Sequence, residues 1–165
     1  MNKNKLPNIT AILGQESLIE KIQFHLEEIE KLASNLGIND IFRNKKFIEI
    51  LAAQKLGHQW NDKPYGPDAY EKIGEDTYPT EYKSAKEGGS FQFHWLSVSK
   101  MIKIQECENI YFIVTKGVSI LSIYAISTSR ILGLIGEKAS GSASIDGHKS
   151  FSLDNLKELG AEQVA

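Results

Sequence analysis

The sequence predicts a single α+β (α/β) domain, on three observations. Its first third carries apolar residues at helical steps of three and four. Its middle carries short alternating segments rich in aromatic and β-branched residues, broken by glycine turns. Its 165 residues suffice for one real core, and 24% charged with 41% hydrophobic residues is ordinary for a globular chain. Helices followed by strands, without a repeating strand–helix rhythm, place the chain in this class.

Taken in order, residues 1–15 read as an irregular arm punctuated by Pro7 and Gly14. A long helix is expected over Glu16–Leu36, where Leu18, Ile22, Leu26, Ile29, Leu32 and Leu36 form an apolar stripe and Gly37 supplies a stop. That stripe serves either the core or a subunit contact. A compact linker, Gly37 to Phe42, precedes a second helix over Lys45–Leu56 that ends at Gly57. Residues 58–68 read as a loop, with Trp60 packed on the sheet. Strands are expected over Thr77–Ala85 and Ser90–Leu96, the latter with Phe91, Phe93 and Trp95 on one face and Gln92 and His94 on the other. Ser97 caps a helix over Val98–Glu106. Asn109–Thr115 and Val118–Ala125 form a hairpin, because Thr115-Lys116-Gly117 interrupts an apolar run that would otherwise resemble a membrane span. A helix capped by Ser127 or Thr128 runs to Glu137, Lys138–Gly147 is loop, and Phe151 to Leu159 packs a last strand or helical turn on the body.

The bulk properties bound the function. A net charge of −2 carries no global signature of nucleic acid, although a basic face can exist within it. Cys107 is the sole cysteine, so no intramolecular disulfide and no cysteine-based zinc site forms, as suits a reducing cytoplasm. Nothing in the sequence points to a membrane.

The chemistry concentrates in Gly66-Pro67-Asp68 and Thr80-Glu81-Tyr82-Lys83-Ser84. On a strand, Glu81 and Lys83 share a face, roughly 6.5 Å apart along the chain, while Tyr82 faces away. Asp68, at the end of a turn-rich stretch, is free to swing its carboxylate towards Glu81. Two carboxylates and a strand carbonyl make a hard oxygen site that suits Mg²⁺ together with phosphate oxygens. A neighbouring lysine orients or deprotonates a water and offsets charge growing on a phosphodiester. This grouping matches the PD-(D/E)XK nuclease signature, with Asp68, Glu81 and Lys83 as catalytic residues and the two acids as Mg²⁺ ligands. Glu71 is a rival ligand, read here as a solvated helix or loop charge.

In the same order as the PvuII family of type II restriction endonucleases, the chain carries Gly37-Ile38-Asn39-Asp40-Ile41-Phe42, the spaced acids with Glu81-Tyr82-Lys83-Ser84, the Tyr111–Tyr124 hairpin and Asp146-Gly147-His148-Lys149. The chain resembles that family from about Leu26 to Leu159. The resemblance implies a restriction-endonuclease-like fold with a central mixed sheet flanked by helices. It implies a homodimer that clamps double-stranded DNA, with residues 1–42 as arm and dimerisation helix and 43–165 as the catalytic and recognition region. Asp40 matches a position near the minor groove, and Ser90 to Trp95 matches the segment that reads base edges. Gln92 and His94 are the candidates there, either as readers of adenine and guanine edges or as solvent-facing strand residues. Lys86, Lys100 and Lys103 are candidate phosphate contacts, and His148 and Lys149 lie where DNA passes or only cap a loop. The sequence departs from the family in keeping one histidine, His94, of three consecutive ones, in a longer Asp68–Glu81 spacing, and in Gln105 where a tyrosine is expected. A matching methyltransferase is implied genetically, not as a stable complex. Two rivals stay open: a small catalytic subunit that cuts one strand beside a larger partner, and a non-catalytic DNA-binding module with a nuclease fold.

Overall fold

The computed structural model describes residues 9–38, 41–42, 45–61, 63, 66–93, 97–136 and 149–165. It divides into two compact units, Met1–Arg43 and Asn44–Ala165.

The first unit is built on α1, Ile9–Asn35. The helix starts earlier than the expected Glu16. Pro7 stands ahead of it, where proline is compatible with a helix start, and Gly14 costs a helix interior only about 1 kcal/mol. Gly37, at φ 72°, ends the helical stretch in the left-handed region, and the Ile38 N–H returns to the Ala33 carbonyl. Leu18, Ile22, Leu26, Ile29, Leu32 and Leu36 are all exposed, so the apolar stripe is not packed within its own unit.

The second unit is a mixed α+β body around a six-stranded, mostly antiparallel sheet ordered β1-β2-β3-β5-β6-β8. Its strands are β1 Gln59–Trp60, β2 Ala69–Ile73, β3 Asp76–Lys86, β5 Asn109–Lys116, β6 Ser119–Ser127 and β8 Glu162–Gln163. Among the described strands only β3 and β5 run parallel, with Glu81 beside Ile110 and Lys83 beside Phe112. Parallel neighbours need a crossover, supplied here by β4 (Phe91–Phe93) and α3 (Val98–Gln105). Gly117, at φ 60°, occupies the first central position of the two-residue β5–β6 turn, where a positive φ matches strand twist.

The alternation of β5 buries it on both faces. Tyr111 and Ile113 meet Ile48, Ala52 and Ala53 of α2, Lys46–Leu56. Ile110, Phe112 and Val114 meet the opposite layer: Phe91 and Phe93 of β4, Met101 and Ile104 of α3, Ile131 of α4 (Thr128–Gly136), Phe151 of β7 (Lys149–Phe151) and Leu156 of α5 (Leu153–Glu158). β4 and β7 pair as a small ribbon, Phe91 opposite Phe151. Among the described residues no helix is long and apolar enough to cross a membrane.

Two sequence expectations need correction. The segment 69–73 is strand β2, paired with β3 through Ala69–Thr80 and Glu71–Tyr78. Glu71 is therefore not a solvated charge. It is 4% exposed and accepts hydrogen bonds from the Tyr111 hydroxyl at 2.6 Å and from the Asn109 amide. The strand sits between a turn and the Gly74 turn, and its buried face carries an acid, which breaks the apolar alternation that would have revealed it. The stretch 58–68 also contains β1, with Trp60 opposite Ala69 and packed against the α2-side core.

Candidate active site

The site is assembled from the edge of β3, the turn that precedes β2, and the facing side of α3. Gly66 takes φ 119°, a conformation that side-chain-bearing residues rarely adopt, and a Cβ there would meet the Asn61 amide nitrogen at 3.0 Å. Asn61, only 6% exposed, fastens the turn: its side-chain amide donates to the Pro67 carbonyl at 2.8 Å and its backbone N–H to the Asp68 carbonyl at 3.1 Å. Lys46 of α2 donates in turn to the Asn61 carbonyl at 2.9 Å.

This turn delivers Asp68 to β3. The Asp68 N–H donates to the Thr80 carbonyl at 3.1 Å, and its carboxylate accepts the Tyr82 N–H at 2.7 Å. Asp68 is thus anchored, where the sequence suggested a carboxylate free to swing. The bond lands on the residue between Glu81 and Lys83, and Asp68 and Glu81 line the same pocket. Lys83 donates to Glu81 Oε1 and to the Tyr82 carbonyl, and its ammonium lies 5.3 Å from the centre of the Phe93 ring. Both side chains are largely shielded, Lys83 at 14% and Glu81 at 19% exposure.

Burial is the main cause that pushes the Asp68 carboxyl up to about 7, and the Glu81 and Glu49 charges push it further, against Lys83 and the Tyr82 amide. Glu49, on α2, is likewise raised by burial, while Lys46 and Lys83 pull it down. Behind the strand, Tyr82 stacks with His58, and their hydroxyl and Nδ1 lie 2.8 Å apart.

Asp68 and Glu81 line one wall of a pocket of about 440 Å³, with Gly66, Pro67 and Pro79. The other wall is α3, through Ser99, Lys100, Lys103 and Ile104, continued by Glu106 and Cys107 just past its end. Ser97 caps α3 as expected, accepting the Lys100 N–H at 3.3 Å. The Cys107 thiol is pushed up to about 12, chiefly by burial, and packs as an inert core group.

Among the described residues no three His, Cys, Asp or Glu side chains form a ready metal cage. The donor set still fits Mg²⁺, which typically takes one or two protein carboxylates and leaves its other positions to water and substrate phosphate. A desolvated carboxylate beside a second one also needs a proton or a cation to offset their repulsion. The acid pair would hold the ion.

Of the expected site residues, Asp68, Glu81, Lys100 and Lys103 line this pocket, and Lys83 joins them through its bond to Glu81. Lys86, Ser90 and Gln92 are exposed and do not line it. Asp40, His94 and His148 lie outside the described residues. The sequence did not single out Asn61, which holds the turn through Pro67 and Asp68, or Glu49, which joins the site from α2 across the chain. The Asn–Gly spacing around the turn was the one local signal for Asn61; Glu49 had none. No protein-family model matches the chain, and no curated protein sequence matches it.

The raised Asp68 carboxyl gives a pH signature. A carboxyl with a folded pKa near 7, against an ordinary 3.8, binds a proton more readily in the folded chain. It favours folding at low pH, and that contribution is lost as pH rises through about 7. Without divalent ions, the melting temperature of the wild type relative to Asp68→Asn is expected to fall between pH 5 and pH 8, by several degrees. Adding Mg²⁺ at pH 8 should raise the wild type only. A difference that stays flat over this range contradicts the assignment.

Proposed function

We propose that this chain is a type II restriction endonuclease of the restriction-endonuclease-like fold, a Mg²⁺-dependent hydrolase that cuts double-stranded DNA as a homodimer. One observation carries the reading: the Tyr82 amide holds the Asp68 carboxylate in a pocket that Glu81, the partner of Lys83, also lines. Nothing in sheet pairing requires two partly buried acids and an ammonium at that spot.

In this reading Asp68 and Glu81 hold Mg²⁺, which when bound lowers the pKa of water and neutralises charge on the phosphodiester. Lys83 orients the attacking water and offsets the negative charge on the phosphoryl oxygens. The water oxygen bonds to phosphorus in line and the phosphorus–oxygen bond to the departing strand breaks; the water's proton passes to solvent, or to a Lys83 amine that has first given its own proton to solvent, and the departing oxygen takes up a proton from solvent. Asn61 and Gly66 fix the turn so that Asp68 pays little reorganisation when substrate arrives. The exposed apolar face of α1 supports the homodimer, since so large an uncovered stripe is a typical partner surface. Ser90, Gln92 and Lys86 stand as exposed candidates for DNA contact, alongside Asp40, His94 and His148. Host DNA would then need protection by a matching methyltransferase.

Supercoiled plasmid incubated with Mg²⁺ tests this. The expected product is linear DNA resolving into discrete fragments, blocked by a chelator. Nicked circles alone would instead favour a strand-specific subunit, and plasmid left intact with either Mg²⁺ or Mn²⁺ would overturn the reading.

A further inference from the structure

We infer that the α3 wall of the acid-pair pocket is a phosphate subsite, in which Lys100, with Lys103 one turn on, takes a non-bridging oxygen of the phosphodiester to be cut. The inference rests on the nuclease reading and gives its site a substrate-facing half. Lys100 and Lys103 stand three residues apart, so they share one face of α3, and both line the pocket opposite Asp68 and Glu81. Their helix is held firmly. Ser97 caps its start, and Met101 and Ile104 are buried in the sheet-side core.

Lys100 also senses the acids across the pocket. It is lowered mainly by burial and then by Lys83, while Glu81 and Asp68 raise it. A pocket walled by acids alone repels a phosphodiester, and Glu106 at its rim adds to that repulsion. Two ammonium groups on the far wall reverse the field where the phosphate oxygens must sit. A volume of about 440 Å³ takes one phosphate with a flanking sugar rather than a duplex. Lys100 thereby differs from the exposed Lys86, whose position suits a contact to an uncut backbone phosphate.

Calorimetry with a 5′-phosphorylated thymidine dinucleotide in Ca²⁺, alongside plasmid cleavage in Mg²⁺, tests the subsite. Lys100→Gln is expected to weaken dinucleotide binding by about 10- to 100-fold, the usual loss for one charge-assisted hydrogen bond. Lys100→Arg should stay within about threefold of wild type because it keeps the charge, and Lys116→Gln, at an exposed strand end away from the pocket, should bind as wild type does. If Lys100→Gln melts early, Lys103→Gln replaces it and is expected to weaken binding in the same direction. The subsite is overturned if the folded Lys100 or Lys103 variant binds the dinucleotide as tightly as wild type, or if wild type does not bind it. Should this binding pattern hold in a protein that leaves plasmid intact, the subsite stands and the nuclease reading falls.

Discussion

Lys83→Ala is expected to slow DNA cleavage by about 10³-fold while divalent-ion affinity changes little. Lys83 gives its ammonium to Glu81 Oε1 and the Tyr82 carbonyl, while Asp68 is anchored by the Tyr82 amide, so loss of Lys83 leaves Asp68 anchored and Glu81 free to take the ion. Removing one preorganised donor from a reaction centre commonly costs about 10²–10³ in rate, and losing a general base about 10²–10⁴. Lys83→Arg separates the two contributions. Arginine keeps the charge but does not release a proton in proteins, so an Arg variant as slow as Ala assigns a proton to Lys83. An Arg variant near wild type assigns charge alone. Single-turnover cleavage of a duplex at saturating Mg²⁺ measures each, and a Lys83→Ala enzyme with wild-type rate removes Lys83 from the reaction. The packing loss is a separate matter. Lys83 lies over Phe93, so the variants are compared by melting curves as well.

Glu81→Gln and Asp68→Asn are expected to have the larger effect, reducing cleavage to background, at least about 10⁴-fold below wild type. Each substitution preserves shape while removing a charge, so the hydrogen bond from the Tyr82 amide to residue 68 can persist. The two variants should nevertheless differ in one respect. Asp68→Asn removes a carboxyl whose charged form is disfavoured by burial and by two neighbouring acids, so it should stabilise the fold above pH 7 in the absence of divalent ions. Glu81→Gln removes the partner of Lys83, and the apparent pKa of Asp68 should fall, since the Glu81 charge is among the causes that raise it. Carboxyl-carbon NMR titration of Asp68 reads that shift directly. An Asp68 titration indifferent to Glu81→Gln would mean the two acids are too far apart to share an ion.

The legible parts of the chain are those fixed by local rules. Two-residue alternation placed Glu81 and Lys83 together without any tertiary information, and the interruption at Gly117 marked the hairpin that structure places at Asn109–Lys116 and Ser119–Ser127. Ser97 announced α3 because a hydroxyl cap is a contact between near neighbours. Where the determining contact spans the chain, the sequence was silent: Glu71 reaches across the sheet to Tyr111 and Asn109. An acid satisfied in that way looks in the sequence like any solvated charge, and it concealed strand β2. The stripe of α1 was legible as a pattern but not as a destination, because core packing and subunit contact ask for the same spacing of apolar residues. The same distinction explains Asp68: its place at the end of a turn-rich stretch suggested a carboxylate free to swing, while the Tyr82 amide and the Asn61-clamped turn make that reach a fixed geometry.

Anomalous diffraction from crystals soaked in Mn²⁺ tests the shared ion most directly. The expected result is a peak within about 2.0–2.3 Å of one carboxylate oxygen from Asp68 and one from Glu81, lost in Glu81→Gln. A wild-type crystal with Mn²⁺ bound elsewhere, and none between these two acids, would contradict it.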